Sequence, residues 1–264
     1  MTDSLGAAAR AGREPAPTDL DAAARPGLPM LLAFLPYLLV AGLHLACIAG
    51  GFDEAARLSK YLLMPVLAGS VLVAVRLRRP ARPAAVALLV AGILASWAGD
   101  SLLTFDGGVM FVVGLGAFLL AHVAYIAAFV VLGRGARARR LPPWTLLYPI
   151  AVVGLAISLW TGLGSLVGPV LVYAGVLATM AAMSARLTPV LAAGGALFLV
   201  SDSLLALDRF GDGWYAFALN GLVVMLTYTA AQGLIAIGVV QAAANDASAR
   251  PSAAPGRRGS ATVR

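Results

Sequence analysis

The sequence has little charge: Asp, Glu, Lys and Arg make up 12% of its 264 residues, whereas 61% are hydrophobic. Soluble domains carry about 25% charged residues, so a soluble enzyme is excluded. The apolar residues form blocks of about twenty, the length that crosses ~30 Å of hydrocarbon. Alternating segments of about ten residues, which would indicate a transmembrane barrel, are missing. The sequence therefore predicts an all-α, polytopic membrane protein.

Cysteine and histidine are scarce as well. Cys47 is the only cysteine, so it cannot form an internal disulfide. The two histidines match no metal site of ordinary spacing, and the glycine-rich stretches contain no phosphate-binding loop. The net charge of +7 comes from arginines in short loops between apolar blocks. Orientation in a membrane explains that placement, so no nucleic-acid partner is expected.

Charged residues, glycines and prolines divide the apolar sequence into eight predicted spans. They lie near 28–49, 60–75, 83–105, 109–133, 144–162, 164–185, 187–207 and 214–240. The weakest boundary is Gly162–Gly164, where one long bent helix could replace two spans. Residues 1–27 and 243–264 mix Ala, Pro and both charge signs and are predicted to be disordered tails, which leaves 28–242 as the transmembrane domain.

The loop charges favour eight spans over seven. Arginines concentrate in alternate connections, at 76–82, 134–140, 186 and 250–264, and the connections between them carry mixed charge, a single Asp or no charge. Eight spans place every arginine group and both termini in the cytoplasm, whereas merging two spans would put one group outside. We therefore expect an integral protein of a bacterial cell membrane with both termini cytoplasmic.

One segment of the sequence occurs twice. Residues 97–106 align without a gap on 199–208, so that Asp100-Ser-Leu-Leu and Asp202-Ser-Leu-Leu lie 102 residues apart, and Gly92 falls on Gly194 at the same offset. Four predicted spans separate the copies, so both copies run in the same direction. This pattern predicts two parallel four-helix repeats with both aspartates at equal depth.

Asp100 and Asp202 each precede a second aspartate, Asp106 or Asp208, by six residues. If these second aspartates lie in loops, the first pair sits about 9 Å inside the helix ends at ~1.5 Å per residue. An ionised aspartate at mid-membrane costs about 2.5–3.5 kcal/mol on insertion scales, and somewhat less near a helix end. Two interpretations stay open: a structural polar pair that bonds Ser96, Ser201 or Lys60, or a water-filled functional cavity.

Other polar residues also lie in the apolar blocks. Lys60 is the only lysine and opens the second predicted span, where it could snorkel or take part in function. His122 lies mid-span, and Tyr125 shares its helix face. Asn220, Tyr228 and Gln232 form a stripe on the last span. For His122, an interhelical hydrogen bond is favoured over catalysis. For the stripe, interhelical hydrogen bonds and ligand binding are equally good explanations.

Several motifs follow one another in the order and spacing of a known family: Lys60, Gly99–Leu103, Gly116–Tyr125, Gly195–Leu205, Tyr228 and Ala231–Ile235. Over about residues 30–240 the chain resembles the YhhN family of lysoplasmalogenase-like integral membrane proteins. The resemblance implies an eight-helix hydrolase that cleaves the vinyl ether bond of lysoplasmalogens to a fatty aldehyde and a glycerophospho-base. The chain departs from the family at Tyr61, where proline usually follows the lysine, and at Thr229, where a tyrosine is common.

The residues fit that chemistry independently of the family. Vinyl ether hydrolysis begins with proton transfer to carbon, and water then captures the oxocarbenium ion. Two carboxyls in one apolar site supply a proton donor and a water activator, because desolvation and mutual repulsion keep one protonated while the other stays ionised. The ionised partner also stabilises the cation. This scheme needs no metal or organic cofactor.

We therefore predict Asp100 and Asp202 as the catalytic residues and a lyso-phospholipid from the membrane as the partner. Lys60 could hold the substrate phosphate. The predicted substrate contacts are Lys60, His122, Tyr125, Ser201, Asn220, Tyr228 and Gln232.

Two other classes of function fit the same pattern. Parallel repeats with intramembrane carboxylates also describe a proton- or cation-coupled small-molecule transporter. A non-catalytic lipid-binding protein with structural aspartates is the third. The acidic residues lie towards one face of the membrane, which favours a one-sided pocket over a carrier that must open to both faces.

Overall fold

The computed structural model describes residues 28–78, 80–105, 107–134, 140–211, 213, 215 and 218–248. The predicted N-terminal tail, most of the predicted C-terminal tail, and Asp106 and Asp212 lie outside these residues. Within them every regular element is helical. The α-helices are α1 (Leu28–Ala33), α2 (Leu35–Ala49), α3 (Asp53–Arg78), α4 (Pro83–Leu102), α5 (Gly108–Gly133), α6 (Leu147–Ser158), α7 (Trp160–Leu163), α8 (Val167–Ser184), α9 (Pro189–Phe210) and α10 (Asn220–Ser248).

The prediction of an all-α membrane protein is confirmed. Six segments of the described chain are long and apolar enough to cross a membrane: Asp53–Leu77, Pro83–Leu102, Gly108–Gly133, Trp160–Ser184, Pro189–Phe210 and Asn220–Ala244. Two shorter apolar helices, Leu35–Ala49 and Pro143–Ser158, occupy the places of the first and fifth predicted spans. Large aliphatic side chains on the outer surface, such as Leu39, Leu120 and Ile157 at 65%, 66% and 71% exposure, suit contact with lipid.

Each aspartate-bearing helix packs most extensively on the helix that follows it, α4 on α5 and α9 on α10. Glycine permits both approaches. A Cβ at Gly92 on α4 would collide with the Tyr125 ring of α5, and a Cβ at Gly194 on α9 would lie 2.9 Å from Ile235 Cγ1 of α10. Helix α10 also contacts α2, α3, α4 and α5, so its polar stripe lies in the centre of the bundle.

The weak boundary predicted at Gly162–Gly164 is a break in the helix. The chain leaves the α-helix at Leu159, and Gly164 adopts a φ of +52°, a conformation that disfavours side chains. The backbone at Gly162 lies so close to the carbonyl of Phe210 that a side chain could not fit between them. The break thus places α7, which contains Gly162, against the C-terminal end of α9.

Lys60 does not open a helix, contrary to the prediction. Helix α3 begins at Asp53, about two turns earlier, with Asp53 and Glu54 in its first turn. Acidic side chains at a helix N-terminus are favoured by the helix dipole, and Glu54 pairs with Arg57 at 2.8 Å on the helix surface. Charged residues can extend an apolar helix beyond the hydrocarbon layer. Hydropathy therefore placed the start of this helix at residue 60 and not at Asp53.

The two aspartates were each predicted to lie six residues inside the end of a helix, and neither does. Asp100 is two residues from the end of α4, whereas α9 continues through Asp208 to Phe210. Thr104 explains the earlier end, because its hydroxyl donates to the Ser101 carbonyl at 2.6 Å and draws the chain into a turn. Ala206 stands at the corresponding place in α9 and has no hydroxyl that could bond a backbone carbonyl in this way.

The last helix extends six residues past the predicted boundary at 242. Helix α10 continues to Ser248 through an alanine-rich sequence with high helix propensity. Ala243 is fully buried, and its carbonyl accepts a hydrogen bond of 2.9 Å from the Ala81 N–H. This contact ties the end of α10 to the connection between α3 and α4.

Candidate active site

A cavity of about 450 Å³ lies among α3, α4, α5, α6, α8, α9 and α10. Its walls are mostly apolar, formed by aliphatic and phenylalanine side chains. Its polar lining includes both intramembrane carboxyls: Lys60, Asp100, Tyr173, Ser201, Asp202, Ser203, Asp208, Arg209, Asn220 and Tyr228. The structure thus brings Asp100 and Asp202, which lie 102 residues apart in the chain, to one cavity.

Asp100 is held from two sides. The Asp100 side chain is only 4% exposed, although it lines the cavity. The Tyr228 hydroxyl of α10 donates to Asp100 Oδ2 at 2.6 Å, and Lys60 Nζ of α3 lies 3.5 Å from Asp100 Oδ1. A buried carboxylate is stable as an anion when donors and a counter-charge surround it, so this environment suits an ionised Asp100.

Asp202 has a different environment. The Tyr173 hydroxyl of α8 donates a hydrogen bond to its Oδ2. Among the described residues, no lysine or arginine forms an ion pair with Asp202. The side chain is partly exposed to the cavity. The two carboxyls that face one cavity therefore differ in their partners, because Asp100 has a phenol and a cation whereas Asp202 has a phenol without a cation.

The predicted site residues divide into two groups. Lys60, Ser201, Asn220 and Tyr228 line the cavity with the aspartates. The Ser201 hydroxyl, however, donates to the Val224 carbonyl of α10 at 3.0 Å, so Ser201 also helps to hold α9 against α10. The Lys60 side chain is 22% exposed, which leaves part of it free to meet a ligand.

His122, Tyr125 and Gln232 lie behind the cavity wall. All three are at most 1% exposed, and none lines the cavity. The His122 ring packs edge-on between Tyr173 and Phe198, with ring centroids 5.3 and 4.7 Å away. Gln232 accepts a hydrogen bond from the Tyr125 hydroxyl at 2.7 Å. These residues can therefore act on a substrate only through other side chains.

Tyr173 and Arg209 are cavity residues that the sequence analysis did not select. Tyr173 interrupts the apolar first half of α8, residues 167–177, and this polar group was the available signal. Arg209 follows the predicted span 187–207 and so belongs to a predicted loop, but it lies in the last turn of α9. Its guanidinium sits 5.4 Å from the ring centroid of Phe111, an ordinary cation–π distance. The cavity therefore has a second cation besides Lys60.

Known proteins resemble this chain. The model of the YhhN family matches residues 55–239. The chain is similar to proteins named lysoplasmalogenase from Mycobacterium bovis and Mycobacterium tuberculosis, each 34% identical over 210 residues, covering 76% of this chain and 79% of the relative. No solved structure matches the chain.

Proposed function

The chain belongs to the YhhN family, and from that premise we propose that it is a membrane-embedded hydrolase that cleaves the vinyl ether bond of lysoplasmalogens. The observation that carries this proposal is that Asp100 and Asp202 both line one largely apolar cavity. Its volume of about 450 Å³ lies in the range of roughly 300–1,000 Å³ of small-molecule sites. The lysoplasmalogenases of the two mycobacteria support the same reaction.

The reaction needs only proton transfers and water. One carboxyl donates its proton to the alkenyl carbon that does not bear oxygen, which produces an oxocarbenium ion. Water adds to the other alkenyl carbon and gives its proton to the carboxylate, which forms a hemiacetal. The hemiacetal then breaks its bond to the glycerol oxygen and releases the aldehyde. Paired carboxyls perform the corresponding acid and base steps in glycoside hydrolysis.

The apolar walls offer a place for the alkenyl chain. Helix α6 turns Val152, Leu155 and Ala156 towards the cavity, while Val153 and Ile157 on its other side are 57% and 71% exposed. We place the hydrocarbon chain against this face of α6, since burial of apolar surface stabilises it there. The vinyl ether would then lie between the two carboxyls.

The phosphate would lie at Arg209. Lys60 is engaged with Asp100, whereas Arg209 presents a planar fork that matches phosphate oxygens. Asp208, which precedes Arg209 in α9, also lines the cavity and would provide a counter-charge for the ammonium group of a glycerophospho-base.

The Arg209→Gln variant tests this placement. A charge-assisted contact made alike in the ground and transition states affects binding, so KM for the phosphate-bearing substrate should rise about tenfold or more with kcat nearly unchanged. KM for the 1-alkenylglycerol that lacks phosphate should not change. Arg57→Gln is the matched control, because Arg57 pairs with Glu54 outside the cavity. Equal effects on both substrates would contradict the phosphate contact.

The function itself is tested with purified protein in detergent or liposomes. Aldehyde should appear from 1-alkenyl lyso-lipids, and none from lyso-lipids with a saturated ether or an ester at the same position. Absence of aldehyde, together with proton-coupled solute uptake into liposomes, would replace the hydrolase with a transporter. Lyso-lipid binding without either activity would point to a lipid-binding protein.

We also propose eight spans in two parallel four-helix repeats, with both termini cytoplasmic. The equivalent packing of α4 on α5 and α9 on α10 supports the repeat, as do the close approaches at Gly92 and Gly194. The arginine-rich connections support the orientation. Reporter fusions after Arg140 and after Arg258 should both indicate the cytoplasm, and an opposite signal from either would remove the eight-span arrangement.

A further inference from the structure

A chain of buried hydrogen bonds leads from the interior of the bundle to Asp100. Ser96 Oγ lies 3.5 Å from the Tyr125 hydroxyl, which donates to Gln232 Oε1 at 2.7 Å. Gln232 Nε2 donates to the Tyr228 oxygen at 3.3 Å, and the Tyr228 hydroxyl donates to Asp100 Oδ2 at 2.6 Å. The four residues that lead to Asp100 through these hydrogen bonds, Ser96, Tyr125, Gln232 and Tyr228, are at most 4% exposed. Water therefore competes little for the bonds.

The chemistry of these groups fixes the donor and the acceptor of each hydrogen bond from Tyr125 to Asp100. A phenol has a single hydrogen, and the hydrogen of Tyr125 goes to the amide oxygen of Gln232. The amide N–H therefore faces Tyr228 and occupies its oxygen as an acceptor. The only hydrogen of Tyr228 is then directed to Asp100. If the amide were reversed, its oxygen would attract the Tyr228 hydrogen and Asp100 would lose this donor.

The two carboxyls are thereby made unequal. Asp100 receives the Tyr228 hydrogen at one oxygen and faces the Lys60 ammonium at the other. Within the described part of the chain, Asp202 receives only the Tyr173 hydroxyl and has no cationic partner. A proton on Asp202 leaves its hydrogen bond from Tyr173 intact, because a protonated carboxyl still accepts at its carbonyl oxygen.

We propose that Tyr125 and Gln232 are positioning residues that hold Tyr228 as a donor, fix Asp100 as the ionised carboxylate and leave Asp202 as the proton donor. This inference rests on the proposed vinyl ether hydrolysis and assigns its two roles. Neither positioning residue lines the cavity, so both act through Tyr228.

The assigned roles return both carboxyls to their starting states. Asp202 gives its proton to the alkenyl carbon, and Asp100 takes the proton that water loses when it adds to the oxocarbenium ion. In the collapse of the hemiacetal, Asp100 returns that proton to the departing glycerol oxygen. Asp202 removes the hydroxyl proton as the aldehyde forms. The sum is one vinyl ether and one water converted to one aldehyde and one alcohol.

Kinetics of the Tyr125→Phe and Gln232→Met variants test the positioning role. Each should lower kcat about tenfold and leave KM nearly unchanged, because the bonds act on the reacting carboxylate and not on bound substrate. The double variant should be no slower than Gln232→Met alone, since one break already interrupts the chain. A rise in KM with normal kcat, or additive losses, would overturn the proposal.

Tyr37→Phe is the matched control. Tyr37 is another buried tyrosine, 2% exposed, whose hydroxyl donates at 2.7 Å to the Thr229 carbonyl of α10 but does not join the chain. Its variant should keep normal kcat. Equal losses in Tyr37→Phe and Tyr125→Phe would show that only packing is affected and would overturn the positioning role.

Infrared difference spectra between the wild-type protein and each aspartate variant test which carboxyl carries the proton. They need no turnover of substrate. The band of a protonated carboxyl should disappear in Asp202→Asn and persist in Asp100→Asn. The reverse pattern would overturn the assignment even if aldehyde is released. If the spectra follow the expected pattern but the wild-type protein releases no aldehyde, the unequal pair stands and the proposed reaction fails.

Discussion

The Asp100→Asn and Asp202→Asn variants are each expected to abolish aldehyde release. A general acid or base step contributes typically 10²–10⁴-fold, so each loss should be about that large. Asn keeps the shape and can still accept from Tyr228 or Tyr173 but neither donates a carboxyl proton nor carries charge. The double variant should lose little more than either single one, because the two groups act as a unit.

Activity per folded molecule, thermal melting and lyso-lipid binding should be measured together. Both variants should melt near the wild-type temperature and still bind lyso-lipid. Asp53→Asn is the control, since Asp53 is an exposed aspartate at the start of α3 that does not line the cavity. A purely structural aspartate pair would give early melting with activity retained per folded molecule, and this result would reject the carboxyl mechanism.

Lys60→Met is expected to lower kcat by about 10- to 100-fold, the value of a hydrogen bond to a charged group. Lys60 Nζ lies 3.5 Å from Asp100 Oδ1, so the substitution removes the counter-charge of an aspartate side chain that is 4% exposed. A buried carboxyl without a counter-charge is neutralised, and a neutral Asp100 cannot take the proton of water. Lys60→Arg keeps the charge and should retain part of the activity.

Steady-state kinetics with the phosphate-bearing and phosphate-free substrates separate the two roles proposed for Lys60. A loss confined to kcat, and equal for both substrates, follows from the ion pair with Asp100. If only KM for the phosphate-bearing substrate rises, Lys60 holds the phosphate, as the sequence first suggested, and the ion pair is not needed for catalysis.

Much of the site could be predicted from the sequence because membrane burial makes polar residues conspicuous. Asp100 and Asp202 stand out in apolar blocks, and their shared motif related them across 102 residues. The stripe of Tyr228 and Gln232 on the last span follows from helical periodicity. Arg209 was missed because an arginine beside a predicted loop is ordinary, and nothing in the sequence brings it to the cavity.

Helix ends were predicted less well than helix positions. Hydropathy detects the apolar part of a helix, so it missed the charged first turns of α3 before Lys60. It also missed the end of α10 after residue 242, where Asn245, Asp246 and Ser248 are interspersed with alanines. Thr104 ended α4 early, through a side-chain bond that repeat alignment could not anticipate. Such local contacts set the ends of helices, and the pattern of apolar and polar residues does not reveal them.

The sequence by itself determined the membrane class, the helical content and the presence of two related carboxyls, because these follow from composition and local period. Only the tertiary structure decided which partners each carboxyl has. Lys60 and Tyr228 reach Asp100 from α3 and α10, while Tyr173 reaches Asp202 from α8. The Asp-Ser-Leu-Leu core is the same in both copies of the motif. Its two aspartates differ in chemistry because the helices packed against them differ.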